Sequence, residues 1–306
     1  MKRFKLNTIE EDSYPISRDE FEARTLKSKK YYRKGKDGVQ RQFAVCPMCS
    51  NPIQIIGLYA REGSEKNPYG KHYCRSVDGL ARHNEETYAF CPYASHNYTP
   101  PSKDKLRKNI GQKELDNYYY IRSHLNEAVY LIEEKTGLYV SEALAKELIK
   151  SYVGARGHMY FWSEKYNAPW VLMYMSPAFN FWGRKIRKES ELYKWAKSFN
   201  DTYLKDIDEG YSSFKPDENR NIRFVCAFFR HRRKAVDHDM EESINMQILL
   251  LTTGRDRAQQ SKKLFSQNIL IGINEFPELI RSKKLAGYRP FLNQMAKDMM
   301  PELKLP

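Results

Sequence analysis

The chain has 306 residues, of which 41% are hydrophobic and 13% aromatic. This composition can fill the core of one large domain or two ordinary ones, and it excludes global disorder. Lys and Arg number 52 against 38 Asp and Glu, which leaves a formal net charge of +14. A positive field of this size attracts polyanions, so we expect nucleic acid, DNA or RNA, as a partner. No apolar run approaches the roughly 18 residues of a membrane span, and no apolar signal segment follows Met1. We therefore expect a cytoplasmic protein without membrane contact.

The first 41 residues are polar and basic. The run 27–41 carries seven basic side chains against one Asp, which is typical of a solvent-exposed segment. We therefore predict a basic N-terminal arm over residues 1–41. The loose alternation of Val39–Val45 predicts a strand that leads to Cys46, and the short β-branched run after Pro52 predicts another strand.

The cysteines are concentrated in one segment. Four of the five fall between residues 46 and 91, namely Cys46, Cys49, Cys74 and Cys91. Cys46 and Cys49 form a Cys-x-x-Cys knuckle, which presents two thiolates to zinc from one turn. The Cys-Pro pair recurs at Cys91, which indicates a second, similar turn facing the same ion. A redox pair is disfavoured, because Cys49 is followed by Ser-Asn-Pro and a β-branched run and not by a helix.

The simplest set of zinc ligands is formed by the four clustered cysteines, since thiolates suit a structural zinc. His72 is the alternative to Cys74, because we do not expect both residues of one short strand-like segment to face one ion. The order of strand, knuckle, strand and distant second ligand pair resembles zinc-ribbon and treble-clef modules. That resemblance implies a closed, structural zinc site within a module that we place at residues 42–100.

The chain beyond Pro100-Pro101 is predicted to be a second, helix-rich domain over residues 101–306. Apolar residues recur at helical spacing from Ile121 to Ile132 and again after Ser141, and Ser190 is placed to cap a third helix. The aromatic stretch 158–182 contains Pro169 and Pro177, and we predict short strands and turns there.

Further along, Ile222–Phe229 predicts a buried strand, and Ile244–Leu251 fits either a strand or a helix. From Asp256 onward the pattern favours helices. Together these elements predict an α+β protein. Its N-terminal zinc-ribbon or treble-clef-like module is followed by a helix-rich mixed domain that holds a small sheet and has a basic surface.

Two clusters of basic residues are the candidate contacts to nucleic acid. Basic side chains bind phosphates, and neighbouring aromatic rings stack on unpaired bases. The first cluster follows Trp182, and the second follows a strand that we expect to be buried. Their members are Arg184, Lys185, Arg187, Lys188, Arg230, Arg232, Arg233 and Lys234.

One acidic cluster offers an alternative function. It consists of Asp237, Asp239, Glu241 and Glu242, and two or more carboxylates around a divalent ion would make a metal-dependent nuclease. The chain contains neither a phosphate-binding loop nor a nucleophile elbow, so an enzyme is not our first interpretation. We predict a nucleic-acid-binding protein with a structural zinc, acting as a subunit of a larger complex. A third possibility is an adaptor that docks to an acidic protein and has no role with nucleic acid.

Overall fold

The computed structural model of the chain describes residues 1–10, 12–35, 37–60, 67–94, 100–216, 222–236, 239–253, 259–285 and 288–305. The fold is α+β, as predicted, and it divides into two compact units. The first unit comprises Met1–Pro100 together with Arg233–Glu241, and the second comprises Pro101–Arg232 and Glu242–Pro306. Within the described chain, no helix is long and apolar enough to cross a membrane.

The first unit is built on a four-stranded antiparallel sheet in the order β3-β4-β5-β6, beside a two-stranded pair β1-β2. Its strands are β1 (Arg3–Phe4), β2 (Tyr14–Pro15), β3 (Tyr32–Lys34), β4 (Gln40–Val45), β5 (Pro52–Ile56) and β6 (Tyr69–His72), and its helices are α1 (Arg18–Thr25) and α2 (Glu85–Ala89).

Residues 1–41 lie within this unit and do not form a separate arm. Phe4 of β1 and Phe21 of α1 are fully buried, and their rings pack with centroids 5.0 Å apart. Both belong to the core that also contains Cys46 and Cys91. The basic side chains give the segment its polar composition, which predicted an exposed arm. The aromatic residues nevertheless pack into the core and place the segment within the unit.

The second unit contains a bundle of helices and two sheets. Its helices are α3 (Gln112–Ser123), α4 (Leu125–Thr136), α5 (Glu142–Gly154), α6 (Ala168–Met175), α7 (Glu191–Asn200), α8 (Glu275–Ser282) and α9 (Phe291–Met299), with short 3-10 turns at Gly157–Met159 and Asp201–Tyr203. Helices α5, α6 and α9 pack together around α4 and α3. The predicted cap is confirmed, because Ser190 caps α7. Ser141 likewise caps α5, and Gly137 ends α4 in the left-handed conformation.

The sheets of the second unit are larger than the sequence pattern predicted. Their strands are β7 (Phe179–Asn180), β8 (Lys185–Arg187), β9 (Leu204–Asp206), β10 (Tyr211–Phe214), β11 (Ile222–Val236), β12 (Asp239–Thr253) and β13 (Gln259–Leu270). One sheet has the order β13-β12-β11-β7 and the other β8-β10-β9. The end of β11 and the start of β12 belong to the first unit.

Two predictions of element type were wrong. The aromatic stretch 158–182 holds the buried helix α6, because Pro169 lies in its first turn, where no backbone N–H is needed. The segment after Asp256 begins with strand β13, paired along its length with β12. Its polar, Lys-rich sequence has a weak strand signal of its own, so the long partner strand decides its conformation.

Burial of His158 predicts a pH dependence of stability. This side chain packs edge-on against Tyr118 with ring centroids 5.1 Å apart, and its Nδ1 has no hydrogen-bond partner among the described residues. Burial, aided by the charge of Arg156, lowers the pKa of His158 from 6.5 to about 4. The unfolded chain therefore binds a proton between these pH values that the folded chain does not, and stability is lost as the pH falls from 6.5 to 4.

We expect the free energy of unfolding to fall by up to about 3 kcal/mol over this interval through His158. The variant His158→Phe should show a correspondingly smaller fall. All four tryptophans lie in the second unit, so urea unfolding followed by tryptophan fluorescence reports on that unit. Parallel stability curves for the two proteins between pH 7 and 4 would contradict the assignment.

Candidate metal centre

The hairpin between β4 and β5 forms a tight knuckle. Cys46 follows β4 directly, its N–H donates to the Asn51 carbonyl at 2.8 Å, and its own carbonyl accepts the Ser50 N–H at 3.1 Å. Ser50 has a φ of 56°, in the left-handed region. This turn brings Cys49 back beside Cys46, which is the arrangement that the Cys-x-x-Cys spacing predicted.

Two further donors arrive from separate elements. His72 is the last residue of β6 and pairs with Ile53 of β5, so the sheet carries it to the knuckle. Cys91 follows the short helix α2, and its N–H donates to the Tyr88 carbonyl at 3.0 Å. Sulfur or nitrogen donor atoms of Cys46, Cys49, His72 and Cys91 all lie within 4.8 Å of one another, and this group can hold a metal ion.

The distances within the group match a tetrahedron around one ion. Metal–sulfur bonds near 2.3 Å and metal–nitrogen bonds near 2.1 Å give tetrahedral edges of about 3.8 Å between two sulfurs and about 3.6 Å between sulfur and nitrogen. The Sγ atoms of Cys46 and Cys91 are 3.8 Å apart, and Cys91 Sγ lies 3.6 Å from His72 Nε2. Cys49 Sγ is closer to His72 Nε2, at 3.2 Å. The donors therefore stand close to ligand geometry.

The three thiols lie in a site where protons and a metal ion compete. Burial raises the pKa of Cys46 and of Cys91, which are 0% and 1% exposed. Burial also opposes ionisation of Cys49, but hydrogen bonds with Cys46, Cys91 and His72 outweigh it and hold its pKa below the ordinary value. A cation at the centre would displace protons from these thiols, so metal affinity should fall as the solution becomes more acidic.

Asn51 ties the knuckle to the helix that precedes Cys91. Its side chain is 1% exposed and donates to Thr87 Oγ1 at 2.7 Å and to the Asn84 carbonyl at 3.1 Å, while its Oδ1 accepts the Asn84 N–H at 2.6 Å. Asn84 in turn caps α2 through Thr87. These contacts fix Cys91 relative to the knuckle. Asn51 is not predictable from the sequence, since a lone asparagine in a turn carries no ligand signal.

Cys74, the fourth cysteine of the predicted set, is not in this group. It is exposed, and His72 occupies the remaining position. The Tyr73 N–H still donates to the Pro52 carbonyl at 2.9 Å, but the Arg75 N–H already donates to the Tyr73 carbonyl at 2.8 Å. The chain therefore turns away from the sheet at Cys74. Between the two alternatives that the sequence left open, the fold brings the histidine to the other donors.

Most side chains of the first basic cluster contact other residues of the protein. Arg187 pairs with Glu134 at 2.7 Å, and Lys188 with Asp206 at 3.3 Å. Arg184 donates from Nε to the Asn180 carbonyl at 2.9 Å. Lys185 is exposed, and its ammonium lies 5.4 Å from the centre of the Tyr139 ring. These contacts reduce the charge that the cluster offers to a partner.

The burial pattern of β11 changes phase within the second basic cluster. The large side chains of Phe224, Cys226 and Phe228 are buried at even positions, with the small Ala227 between them, whereas His231 and Arg233 are buried at odd positions. The change of phase occurs at Arg230, whose φ of 52° is left-handed, and one extra residue in a strand switches the face of all that follow.

As a result Arg230, Arg232 and Lys234 are exposed, and Arg233, which was predicted to bind nucleic acid, is 2% exposed. A burial of this degree removes Arg233 from any surface contact. The exposed members of the second cluster are therefore the better candidates.

The two described carboxylates of the acidic cluster, those of Glu241 and Glu242, do not lie on one face. Glu242 is fully buried, with its Oε1 at 2.6 Å from both His231 Nε2 and Asn167 Nδ2, and its Oε2 accepts the Tyr166 hydroxyl. Glu241 beside it is exposed. Asp237 and the side chain of Asp239 lie outside the described residues. Among the described members, the Glu242 carboxylate is buried in the core and the Glu241 carboxylate faces solvent.

Comparisons with protein-family models, with curated proteins and with solved structures gave no match. The properties of the site therefore follow from its own geometry.

The choice of ligand at the fourth position can be tested by substitution. We expect His72→Ala and Cys91→Ser to lose bound metal, because each removes a donor from a closed tetrahedron. Cys74→Ser should retain about one ion per chain, since Cys74 is exposed and outside the group. Elemental analysis of protein purified without chelator measures this directly. Loss of metal in Cys74→Ser with retention in His72→Ala would reverse the assignment.

The buried Glu242 should be important for stability. Removing one partner of a buried ion pair typically costs about 3–5 kcal/mol, whereas an exposed substitution changes stability by about 0.5 kcal/mol or less. We therefore expect Glu242→Ala to lower the free energy of unfolding by about 3 kcal/mol, while its neighbour Glu241→Ala serves as the matched control. Urea titration followed by tryptophan fluorescence gives both values. Equal stabilities of the two variants would refute a structural role for Glu242.

Proposed function

We propose that Cys46, Cys49, His72 and Cys91 hold a structural zinc ion in a module of the zinc-ribbon or treble-clef type. Three thiolates and one imidazole are a donor set that suits zinc, and soft sulfur ligands disfavour Mg²⁺ and Ca²⁺. All four tetrahedral positions are taken by side chains, so the ion has no open position for water or substrate. Its role is to stabilise the fold.

Zinc at this position would join three parts of the first unit. The knuckle, the end of β6 and the turn after α2 are separated by long stretches of chain, and α2 has no buried residues of its own. A helix of this length is not stable by itself. The ion would therefore supply part of the folding free energy of the unit.

We further propose that the chain binds nucleic acid, DNA or RNA, through cations on its surface. The observation that carries this proposal is the exposure of Arg230 and Arg232 on either side of the buried His231, where the backbone of Arg230 is left-handed. Neither forms a salt bridge with an acidic side chain in the described part of the chain. Other exposed cations lie beside a carboxylate that neutralises them, as Lys146 and Lys194 do.

The backbone conformation of Arg230 supports a role for this segment in binding phosphate. A non-glycine residue in the left-handed region costs about 1 kcal/mol or more, and here that conformation occurs where two arginines, one on each side of the buried His231, are exposed. Together with the net charge of +14, the pair offers unneutralised guanidinium groups to a phosphate backbone.

Binding that depends on phosphate contacts weakens steeply with salt. We expect the logarithm of the association constant for short DNA or RNA to fall linearly with the logarithm of salt concentration, because cations at the interface release counterions. The double variant Arg230→Ala/Arg232→Ala should reduce the slope by about 1.4 to 1.8, which corresponds to two lost contacts. Fluorescence anisotropy of a labelled strand measures both.

The control for this experiment removes the same charge elsewhere. Lys146 and Lys194 are exposed and paired with Glu142 and Glu191 on their own helices, so Lys146→Ala/Lys194→Ala should leave the slope nearly unchanged. If the wild-type chain binds neither single-stranded nor double-stranded DNA or RNA at low salt, the proposal is lost. The positive charge would then serve another polyanion, such as an acidic protein.

A further inference from the structure

The first unit contains a cavity that is distinct from the metal centre. Its volume is about 430 Å³, which is within the usual range for sites that bind small molecules. The side chains that decide its chemistry are three cations and two aromatic rings, namely Arg33, Lys34, Arg41, Phe43 and Tyr73. Val77, Ser76, Asp78 and Gly35 complete its wall.

Two aromatic side chains form an apolar surface within the cavity. The Phe43 and Tyr73 rings meet edge-to-face with centroids 5.1 Å apart, and Val77 beside them is buried. Phe43 is 6% exposed and belongs to the core, while Tyr73 is half-buried. A fixed aromatic pair of this kind offers a flat ring a surface on which to stack.

Two of the cations are held in place before any ligand arrives. Arg41 donates to both carboxylate oxygens of Asp37, from Nη1 at 2.9 Å and from Nη2 at 2.5 Å. A Cβ at Gly35 would stand 1.8 Å from Arg41 Nη1, so glycine at this position leaves the space that the guanidinium occupies. Arg33 donates to the backbone carbonyls of Lys30 and Asp78, which are uncharged partners.

The third cation is available. Lys34 is exposed and forms no salt bridge with the described acidic side chains. The cavity wall carries three cations, of which Asp37 neutralises Arg41, and Asp78 adds one carboxylate. One positive charge remains in excess, which favours an anionic ligand. Inorganic phosphate alone would leave the aromatic surface unused, and an apolar ligand would leave the cations unpaired.

We propose that this cavity binds one unpaired nucleotide of a single-stranded nucleic acid, with the base against Tyr73, whose ring Phe43 supports from the core, and the adjoining phosphate at Lys34. The inference rests on the proposed nucleic-acid binding and specifies its form. A base in a duplex has both faces stacked and cannot enter, so the strand must be single at this point.

The cavity is coupled to the metal centre through two strands. Phe43 lies on β4 three residues before Cys46, and Tyr73 follows His72 directly. The elements that carry the metal donors therefore also position the aromatic pair. Removal of the metal should loosen this surface and weaken strand binding.

The test compares a short labelled oligodeoxythymidine with an abasic strand of the same length, which has the same phosphates and no bases. Wild-type protein should bind the abasic strand about tenfold more weakly, as expected for the loss of one stacked base. Lys34→Glu should weaken binding of oligodeoxythymidine about tenfold and lower its salt slope by about 0.7. Lys71→Glu, an equal charge change at an exposed position of β6 outside the cavity, is the matched control.

A second variant tests the aromatic surface separately from charge. Tyr73→Leu keeps the apolar volume but removes the ring face, so it should bind oligodeoxythymidine and the abasic strand with affinities that differ less than those of the wild type. Its metal content, measured by elemental analysis, shows that the unit is still folded.

Three results would overturn the inference. They are equal effects of Lys34→Glu and Lys71→Glu, equal wild-type affinity for the two strands, and competition by thymidine monophosphate as strong as that by the strand, which would assign the cavity to a free nucleotide. If Arg230→Ala/Arg232→Ala still lowers the salt slope in any of these cases, nucleic-acid binding stands and only this site is lost. Absence of binding to every strand removes both.

Discussion

Four donors from three separate places in the chain converge in the first unit. Cys46 and Cys49 come from a hairpin turn, His72 from a strand end and Cys91 from the turn after a short helix. They lie close enough together for one metal ion to bind all four. Asn51 brings the same segments together by hydrogen bonds. Because this amide gathers the donors whether or not an ion is present, part of the entropic cost of assembling the site is met by folding.

Charge is distributed unevenly over the surface of the protein. Many of its cations lie beside a carboxylate on the same helix or on a neighbouring strand, and such pairs contribute little to stability or to the field at a distance. Arg230 and Arg232 on β11, and Lys34 at the cavity, are among the cations that have no acidic partner in the described chain. Local pairing therefore decides which cations can act on a polyanion.

The sequence predicted the α+β class, the caps of several helices and the approach of Cys46, Cys49 and Cys91, because these depend on local spacing and on the chemistry of the residue types. It left His72 and Cys74 open, since they differ only in where the chain turns after β6, and that turn depends on pairing with β5. The helix α6 was missed because Pro169 is a helix breaker in the interior and a helix starter in the first turn. Strand β13 was missed because its partner β12 determines its conformation. Packing of Phe4 and Phe21 likewise outweighs the basic character of the N-terminal segment.

The change of phase at Arg230 has a consequence for how the chain tolerates insertions and deletions. Successive side chains of a strand face opposite sides, and each residue after Arg230 faces the side opposite to the one that an unbroken alternation from Phe224 would give. An insertion or deletion of one residue anywhere between Phe228 and His231 would restore or shift that count for the rest of the strand. His231 would then face water, while Arg232 would point into the aromatic interior, and Glu242 would lose its partner. Substitutions here alter one side chain, but a change in length inverts a whole face. The segment should therefore vary in residue type far more readily than in length.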